Sequence, residues 1–523
     1  MKSLINAFAL ACLASFGIAM HASAQIDAVE GPIPTSPDST IFGAANVPHA
    51  ALSVNLDRYG YVEEEYFIKG RASAFRHTKS GLEPVASGLP YTTRIIVRRP
   101  KEPARFSGVV HFEPIHPTQG VTFSWFVLSR YLMSRGDIYV AVALGDADAG
   151  WSGSPSSPNQ TAPVGELKVT KWFEPKRYEA LSWPQEEGIR FDVMSQIGRK
   201  LRSNDKDNPL RGMKVRAMLV SGWSYTGSLQ RVFINEGFHD RSRLADGKPV
   251  FDAYLIGVSS RWNSPGYLPL YNDEPFVPVN DPRRALKKTD ARVIEFLTES
   301  EVGLNANHDP EAPDNDNSIG GYRVYELGGV IHVSSLIDPS KPNDEEPALT
   351  QLVEHGYPKR QVSKDPVFSC SVPQSDLPMG ALVRAAVDNL RHWVLDGQAP
   401  PHAKRLIWKG NDLVRDAVGN VVGGIRAAEY QVPIARYGRY EGNDKPNCQS
   451  GKQYPNIFLL RNEFSRDELT RRYGSAAKYV TLYNSAIDRL VEQRWLLQDD
   501  ALRLKAKALE DARRQFGSDA EKH

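Results

Sequence analysis

The chain has 523 residues, of which 41% are hydrophobic and 24% are charged, and its formal net charge is +2 at pH 7. This composition is typical of a globular protein and excludes collagen-like, disordered and polytopic membrane chains. A net charge so close to zero gives no overall field that would attract nucleic acid or an anionic membrane, so we expect partners to be defined by a local site.

The first 24 residues have the pattern of a secretory leader. Lys2 precedes an apolar stretch at residues 4–20, and the small residues 22–24 form an A-x-A cleavage site before Gln25. A membrane anchor would need about 20 apolar residues. We therefore expect a cleaved signal peptide over residues 1–24, a periplasmic or secreted protein, and no membrane span in the mature chain.

Removal of the leader would leave two cysteines, Cys370 and Cys448. Because an exported protein meets an oxidising compartment, we expect these two to form a disulfide, with two separate buried thiols as the alternative. The sequence contains no CxxC pair, which excludes zinc ribbons and thioredoxin-like chemistry.

The first part of the mature chain changes from a lead-in to strands. Residues 25–48 are rich in Pro, Ser and Gly, which predicts an extended segment on the surface. Alternating and β-branched residues over 62–99 predict antiparallel strands. The apolar runs 109–112 and 138–143 predict buried parallel strands, and the helical spacing of residues 125–134 predicts a helix between them.

The same alternation continues through the middle of the chain and predicts a doubly wound, mostly parallel α/β sheet. The predicted elements are a helix at 191–201, a strand at 215–221, a helix at 228–235, and strands at 251–258, 292–297 and 322–327. A helix at 378–396 follows, then turns and short strands over 402–460, and then helices to about 516 that begin with the capping box Ser465-x-x-Glu468. We expect one domain over 25–523, with a catalytic core of about 50–400 and a helical C-terminal extension of about 401–523.

The strand at 215–221 leads into the sequence Gly222-x-Ser224-x-Thr226-Gly227 and then directly into a helix. This is the context of a nucleophile elbow, in which small flanking residues allow a serine to project above the sheet. The Tyr225 amide would then point to where an oxyanion forms, helped by the helix N-terminus. Because Thr226 departs from the G-x-S-x-G pattern, an ordinary strand-to-helix turn with an N-cap serine is the alternative.

A serine nucleophile needs a histidine base and an acid that orients it, in the chain order Ser, acid, His in this kind of sheet. Glu299 and Glu301 follow the strand at 292–297, and His332 follows the strand at 322–327 through a Gly-Gly loop. Both groups therefore lie beyond carboxyl ends of strands, where open α/β sheets hold their sites. We predict His332 as the base and Glu301 as the acid, because Glu301 has the longer reach, with Glu299 as the alternative acid. Four other histidines are expected to be structural: His239, His308, His355 and His392.

The chain resembles the α/β-hydrolase domain-containing proteins of bacteria, a secreted or periplasmic branch of the α/β-hydrolase superfamily. By this resemblance, Ser224 is the nucleophile, His332 the general base and Glu301 the acid. The resemblance implies a class of reaction but no particular substrate. The family often has Asp where this chain has Glu301. The segments that carry the resemblance are 61–66, 90–95, 182–201, Gly222-x-Ser224, 298–301, 325–332, 423–426 and 432–433.

Several further residues need an interpretation. Ile115 or His116, in the loop after the strand at 109–112, is predicted to supply a second oxyanion donor, and Arg261 to bind either substrate or a structural partner. The spacing His111-x-Glu113-x-x-His116 resembles a metal motif, but HExxH requires a helix, which Pro114 and Pro117 prevent. Asp314-x-Asp316-x-Ser318 is interpreted as an acidic surface loop, not a calcium loop. No metal or cofactor is expected.

These observations together predict a serine hydrolase that cleaves a small-molecule carboxylic ester by a Ser-Glu-His triad through an acyl-enzyme. The same residues could serve an amidase, a peptidase or an acyltransferase. A non-catalytic α/β-hydrolase-fold binding protein is the alternative from a different class.

Overall fold

The computed structural model of the protein describes residues 25–117, 120–146, 165–259, 267–303, 314–330, 332, 347–356, 375–410, 412–438 and 460–517. The predicted leader, both mature cysteines, Arg261 and His308 lie outside these residues. Within them, none of the helices combines the length and the apolar character that crossing a membrane requires.

The described strands form one large sheet and two small two-stranded sheets. In chain order they are β1 (Gln25–Glu30), β2 (Tyr61–Thr78), β3 (Gly81–Pro100), β4 (Val109–Pro114), β5 (Ile138–Val142), β6 (Ala217–Trp223), β7 (Ala253–Gly257), β8 (Arg292–Thr298), β9 (Tyr322–Leu327), β10 (Trp408–Lys409), β11 (Asp412–Leu413), β12 (Ala435–Gly438) and β13 (Leu460–Glu463).

The described helices lie between and after these strands. They are α1 (Phe123–Arg135), α2 (Glu166–Phe173), α3 (Arg190–Arg202), α4 (Tyr225–Asn235), α5 (Phe238–Arg241), α6 (Glu299–Gly303), α7 (Pro347–Glu354), α8 (Met379–Asp396), α9 (Ala428–Gln431), α10 (Arg466–Tyr473), α11 (Ala476–Glu492) and α12 (Gln498–Phe516).

The large sheet has the order β1-β2-β3-β5-β4-β6-β7-β8-β9. The first three strands are antiparallel to their neighbours, and β4 to β9 run parallel to one another. In the sheet, β5 lies on one side of β4, and β6 to β9 follow in turn on the other side. The strand order therefore reverses between β4 and β6, which is where open α/β sheets bind their ligands. The predicted fold class is confirmed.

Helices cover both faces of the sheet because the direction of building reverses. A right-handed crossover from β4 to β5 and one from β5 to β6 must pass on opposite faces. Accordingly α1 packs with α8, whereas α3 and α4 both contact α5. The strands between these layers are buried along their whole length, which explains why their sequences are continuous apolar runs instead of alternating ones.

The N-terminal lead-in is more deeply integrated than its composition predicts. Residues 25–30 form the edge strand β1, which pairs with β2. Phe42 is fully buried, and its carbonyl accepts a hydrogen bond of 2.9 Å from Nη1 of the buried Arg94. The expectation of a purely surface segment is therefore wrong, because apolar residues of this stretch, such as Ile41 and Phe42, pack into the core.

The C-terminal part begins with α8, which matches the predicted helix. Gly397 ends it in the left-handed conformation, with a φ of 70°. At the start of α10, the Ser465 hydroxyl accepts the Glu468 amide as the predicted N-cap. The terminal helices pack back onto α8, where Arg384 is bonded to the buried carboxylate of Asp500.

Candidate active site

The turn between β6 and α4 is a sharp elbow centred on Ser224. This serine has a φ of 54° and a ψ of −113°, a backbone conformation that side-chain-bearing residues rarely adopt. Its neighbours allow close approach of the backbone. A Cβ atom on Gly222 would lie 2.7 Å from the Thr226 carbonyl oxygen, and one on Gly227 would lie 2.8 Å from the Gly257 carbonyl oxygen. Only glycine fits at both positions.

Thr226 contributes to the elbow through its hydroxyl group. The Thr226 Oγ1 accepts a hydrogen bond from the Trp223 amide at 2.8 Å and donates one to the Trp223 carbonyl at 3.0 Å. The threonine is buried and closes the turn around Ser224. The close approach at Gly227 lies one residue after the last position of the G-x-S-x-G pattern, where this chain has Thr226.

Ser224, His332 and Glu301 form a continuous chain of hydrogen bonds. His332 Nε2 lies 2.8 Å from Ser224 Oγ, and His332 Nδ1 lies 2.6 Å from Glu301 Oε1. Because an ionised carboxylate can only accept, His332 donates from Nδ1 and its Nε2 accepts from the serine hydroxyl. The structure thus brings together the three residues that the sequence selected from three different strand ends.

The carboxylate of Glu301 is held from behind by the end of β8. Its Oε2 accepts hydrogen bonds from the amide of Thr298 at 2.8 Å and from the hydroxyl of the same residue at 2.5 Å. Glu301 is 1% exposed, and the His332 side chain is 19% exposed. The Glu301 carboxylate is therefore held in place and shielded from water, while the His332 imidazole remains accessible to solvent.

Glu299 has other hydrogen-bond partners. Its Oε2 accepts the Gly329 amide at 2.9 Å, and its Oε1 accepts Nη2 of Arg415 at 2.7 Å. Gly329 belongs to the loop that leads to His332, and Arg415 follows β11. Glu299 thus ties the histidine loop to the C-terminal part of the chain.

The predicted oxyanion donors lie on two different segments of the chain. The Tyr225 amide is the first of α4, and the first amides of a helix point outward from its N-terminus. The amides of Ile115 and His116, however, donate to the carbonyls of Val142 and Val121 at 2.8 and 2.9 Å. The prediction of a second donor at either amide is therefore wrong, because the sheet and its adjoining bridge already use both groups.

The side chain of His116 lies at this site even though its amide does not serve it. The ring is buried, and it makes edge-on contacts with the rings of Tyr225 and Phe123 at centroid distances of 6.0 and 5.3 Å. Burial, together with the nearby charge of His332, lowers the pKa of His116 to about 3. His116 is therefore a neutral imidazole at physiological pH.

Two buried polar groups beside the elbow are not among the site residues that the sequence predicts. Nη1 of Arg190 donates to the hydroxyl of Tyr225, and Nε of the same residue donates to the Glu187 carbonyl at 2.6 Å. Glu113, at the end of β4, accepts the Ser124 amide at 2.8 Å. Burial raises the pKa of Glu113 to about 7.

The other sequence motifs have structural partners. The segment around His111 is a strand, so it lacks the helical spacing of HExxH, and His111 bonds Asp137 at 3.0 Å. Asp316 is paired with Arg323, which agrees with an acidic surface loop. A cluster of His239, Asp240 and Asp290 has metal-ligand geometry, but Arg243 is ion-paired with both carboxylates.

The strand order and the position of the elbow define an α/β hydrolase. The family described as "Alpha/beta hydrolase domain" matches residues 29–506, and the chain belongs to this family. No curated protein matches the chain.

Two solved structures illustrate what the fold is similar to. A ferulic acid esterase from Streptomyces cinnamoneus is 12% identical, with 68% of this chain and 95% of that chain covered and a TM-score of 0.33. A thermostable esterase from Pseudomonas putida ECU1011 is also 12% identical, with 48% and 67% covered and a TM-score of 0.25.

Proposed function

We propose that the protein is a serine hydrolase that cleaves carboxylic esters through an acyl-enzyme, with Ser224 as nucleophile, His332 as general base and Glu301 as the orienting acid. The observation that supports this proposal is the hydrogen-bond chain from Glu301 through His332 to Ser224 Oγ. Its members sit beyond the carboxyl ends of β8, β9 and β6, at the edge of the sheet where α/β enzymes place their chemistry.

The geometry indicates how each group would act. Ser224 Oγ attacks the ester carbonyl while its proton passes to His332 Nε2, and the Glu301 carboxylate stabilises the imidazolium through Nδ1. The Tyr225 amide, at the positive end of α4, stabilises the tetrahedral oxyanion. His332 then returns the proton to the leaving alcohol. A water molecule hydrolyses the acyl-enzyme by the same steps in reverse order.

A fluorophosphonate probe tests the proposal directly, because it reacts with activated serines. We expect labelling of the purified protein at Ser224, loss of labelling in Ser224→Ala, and turnover of p-nitrophenyl esters. Parallel assays with anilides and with alcohol acceptors distinguish an amidase or an acyltransferase. A folded protein that is neither labelled nor active on esters would instead be a binding protein.

We also propose that the protein acts outside the cytoplasm, because residues 1–24 have the pattern of a cleavable leader. The N-terminal sequence of the protein recovered from a secreting bacterial host tests this. The sequence should begin at Gln25. An intact leader on the folded, recovered protein would contradict the proposal.

A further inference from the structure

A small pocket opens directly beside the elbow. Its walls include Ile115, Leu144 and Leu229, and Tyr225 contributes the residue next to the nucleophile. The empty volume is about 260 Å³, most of which is open space at the mouth, and the enclosed part has room for about one water-sized group. The pocket can therefore receive a single hydroxyl-sized group of a substrate whose reacting carbonyl lies at Ser224.

One charged residue, Glu166, lines this otherwise apolar pocket. It is the first residue of α2 and is 1% exposed. Its Oε1 accepts from Nε and Nη2 of Arg94 at 3.1 and 2.9 Å. Its Oε2 is buried and has no hydrogen-bond partner within the part of the chain that the structure describes. An unsatisfied buried carboxylate oxygen is costly, so this atom favours a ligand that donates a hydrogen bond.

The charges around Glu166 indicate that the donor is neutral. Arg94 also binds Glu65, and Glu65 in turn binds Arg177. The cluster of Arg94, Arg177, Glu65 and Glu166 has two positive and two negative members and is balanced without a ligand. A cation would add an uncompensated buried charge. Burial raises the pKa of Glu166.

We propose that Glu166 is a specificity-determining residue whose Oε2 accepts a hydrogen bond from a hydroxyl group of the ester, so that the enzyme prefers hydroxylated esters over those with plain chains. The apolar walls of the pocket bind the carbon atoms next to that hydroxyl. The inference rests on the proposed ester hydrolysis at Ser224. The hydroxyl belongs either to the acyl chain or to the alcohol of the ester, and these two sources share the same recognition chemistry.

Matched esters test this preference in the full-length mature enzyme. The acyl arm compares p-nitrophenyl 3-hydroxybutanoate with its methyl isostere, the 3-methylbutanoate. The alcohol arm compares the 1-monoacetate of 1,3-butanediol with 3-methylbutyl acetate. In one of the two arms we expect kcat/KM to favour the hydroxyl compound by about ten- to a hundredfold, the usual effect of a hydrogen bond to a charged group. Equal or lower kcat/KM for the hydroxyl compound in both arms overturns the inference.

Variants assign the preference to Glu166. Glu166→Gln keeps a carbonyl oxygen for Arg94 but presents a donor to the pocket, and should abolish the preference. Glu166→Asp keeps the charge but shortens the reach, and should weaken the preference. It is the variant to measure if Glu166→Gln does not fold. Glu179→Gln removes an exposed carboxylate from the segment that follows α2 and should leave the preference unchanged. A preference that persists in both Glu166 variants contradicts the assignment.

The same assays separate the two proposals. A protein that hydrolyses all these esters without preference retains the proposed function but has no hydroxyl recognition. A protein that hydrolyses none and is not labelled by the fluorophosphonate loses both.

Discussion

In the proposed mechanism Ser224 and His332 handle the same proton, so the effects of replacing them should not add. We predict that Ser224→Ala and His332→Ala each lower kcat for an activated ester by about 10⁴ to 10⁶, with little change in thermal stability. The double variant should be little worse than either single one. Steady-state kinetics and thermal melts on the three purified variants check this. Additive losses would show that one of the two residues has another task.

The two glutamates at the end of β8 should differ in the same assay. Glu301→Gln should lower kcat by up to about 10⁴, because an amide no longer holds His332 in the tautomer that accepts the serine proton. Glu299→Gln is the matched control, since it keeps an acceptor for the Gly329 amide and loses only the ion pair with Arg415. Its loss should be much smaller. The reverse ranking in folded protein would assign the acid to Glu299.

Helices and strands with a clear pattern of apolar residues could be predicted from the sequence. Contacts between elements that are distant in the chain could not. The strand ends that carry Ser224, Glu301 and His332 follow from apolar runs and chain order alone. The amides of Ile115 and His116 were misassigned because their acceptors, Val142 and Val121, belong to neighbouring segments of the fold. The contact between Arg94 and Glu166 spans 72 residues, so local spacing gave no signal for it.

The junction of β4 and α1 should make stability depend on pH through Glu113. Its pKa is about 7 in the fold against an ordinary 4.5, so the folded state binds more protons than the unfolded state between these values. Stability from this group is therefore present below about pH 4.5 and is lost as the pH rises through about 7. Over that range the wild type should lose about 3 kcal/mol relative to Glu113→Gln.

Urea unfolding at pH 5 and pH 8 measures this difference. The exposed Glu102→Gln is the control, and it should show no pH-dependent difference of that size. A stability gap between wild type and Glu113→Gln that stays constant with pH would mean that Glu113 ionises normally in the fold.

For the molecule as a whole, the predicted disulfide depends on the predicted export to an oxidising compartment. We predict that Cys370 and Cys448 are joined by a disulfide in protein recovered from an oxidising compartment, which would tie the segment after His332 to the C-terminal part. Denatured, non-reduced protein should then contain no titratable thiol. Cys370→Ser should expose one thiol, from Cys448. Two thiols in the wild type would contradict the prediction.

Because Ser224 has a positive φ, selection for heat-resistant variants would favour replacing it, which opposes the proposed catalysis. A side-chain-bearing residue in such a conformation costs about 1 to 3 kcal/mol, whereas glycine adopts it freely. Ser224→Gly should therefore raise the free energy of unfolding by a net amount of about 1 kcal/mol while removing the proposed nucleophile. Random libraries screened only by melting temperature would accumulate this substitution. Under the proposed mechanism, selection for heat resistance has to assay turnover in the same round, because the proposed nucleophile is a residue whose replacement by glycine relaxes the backbone.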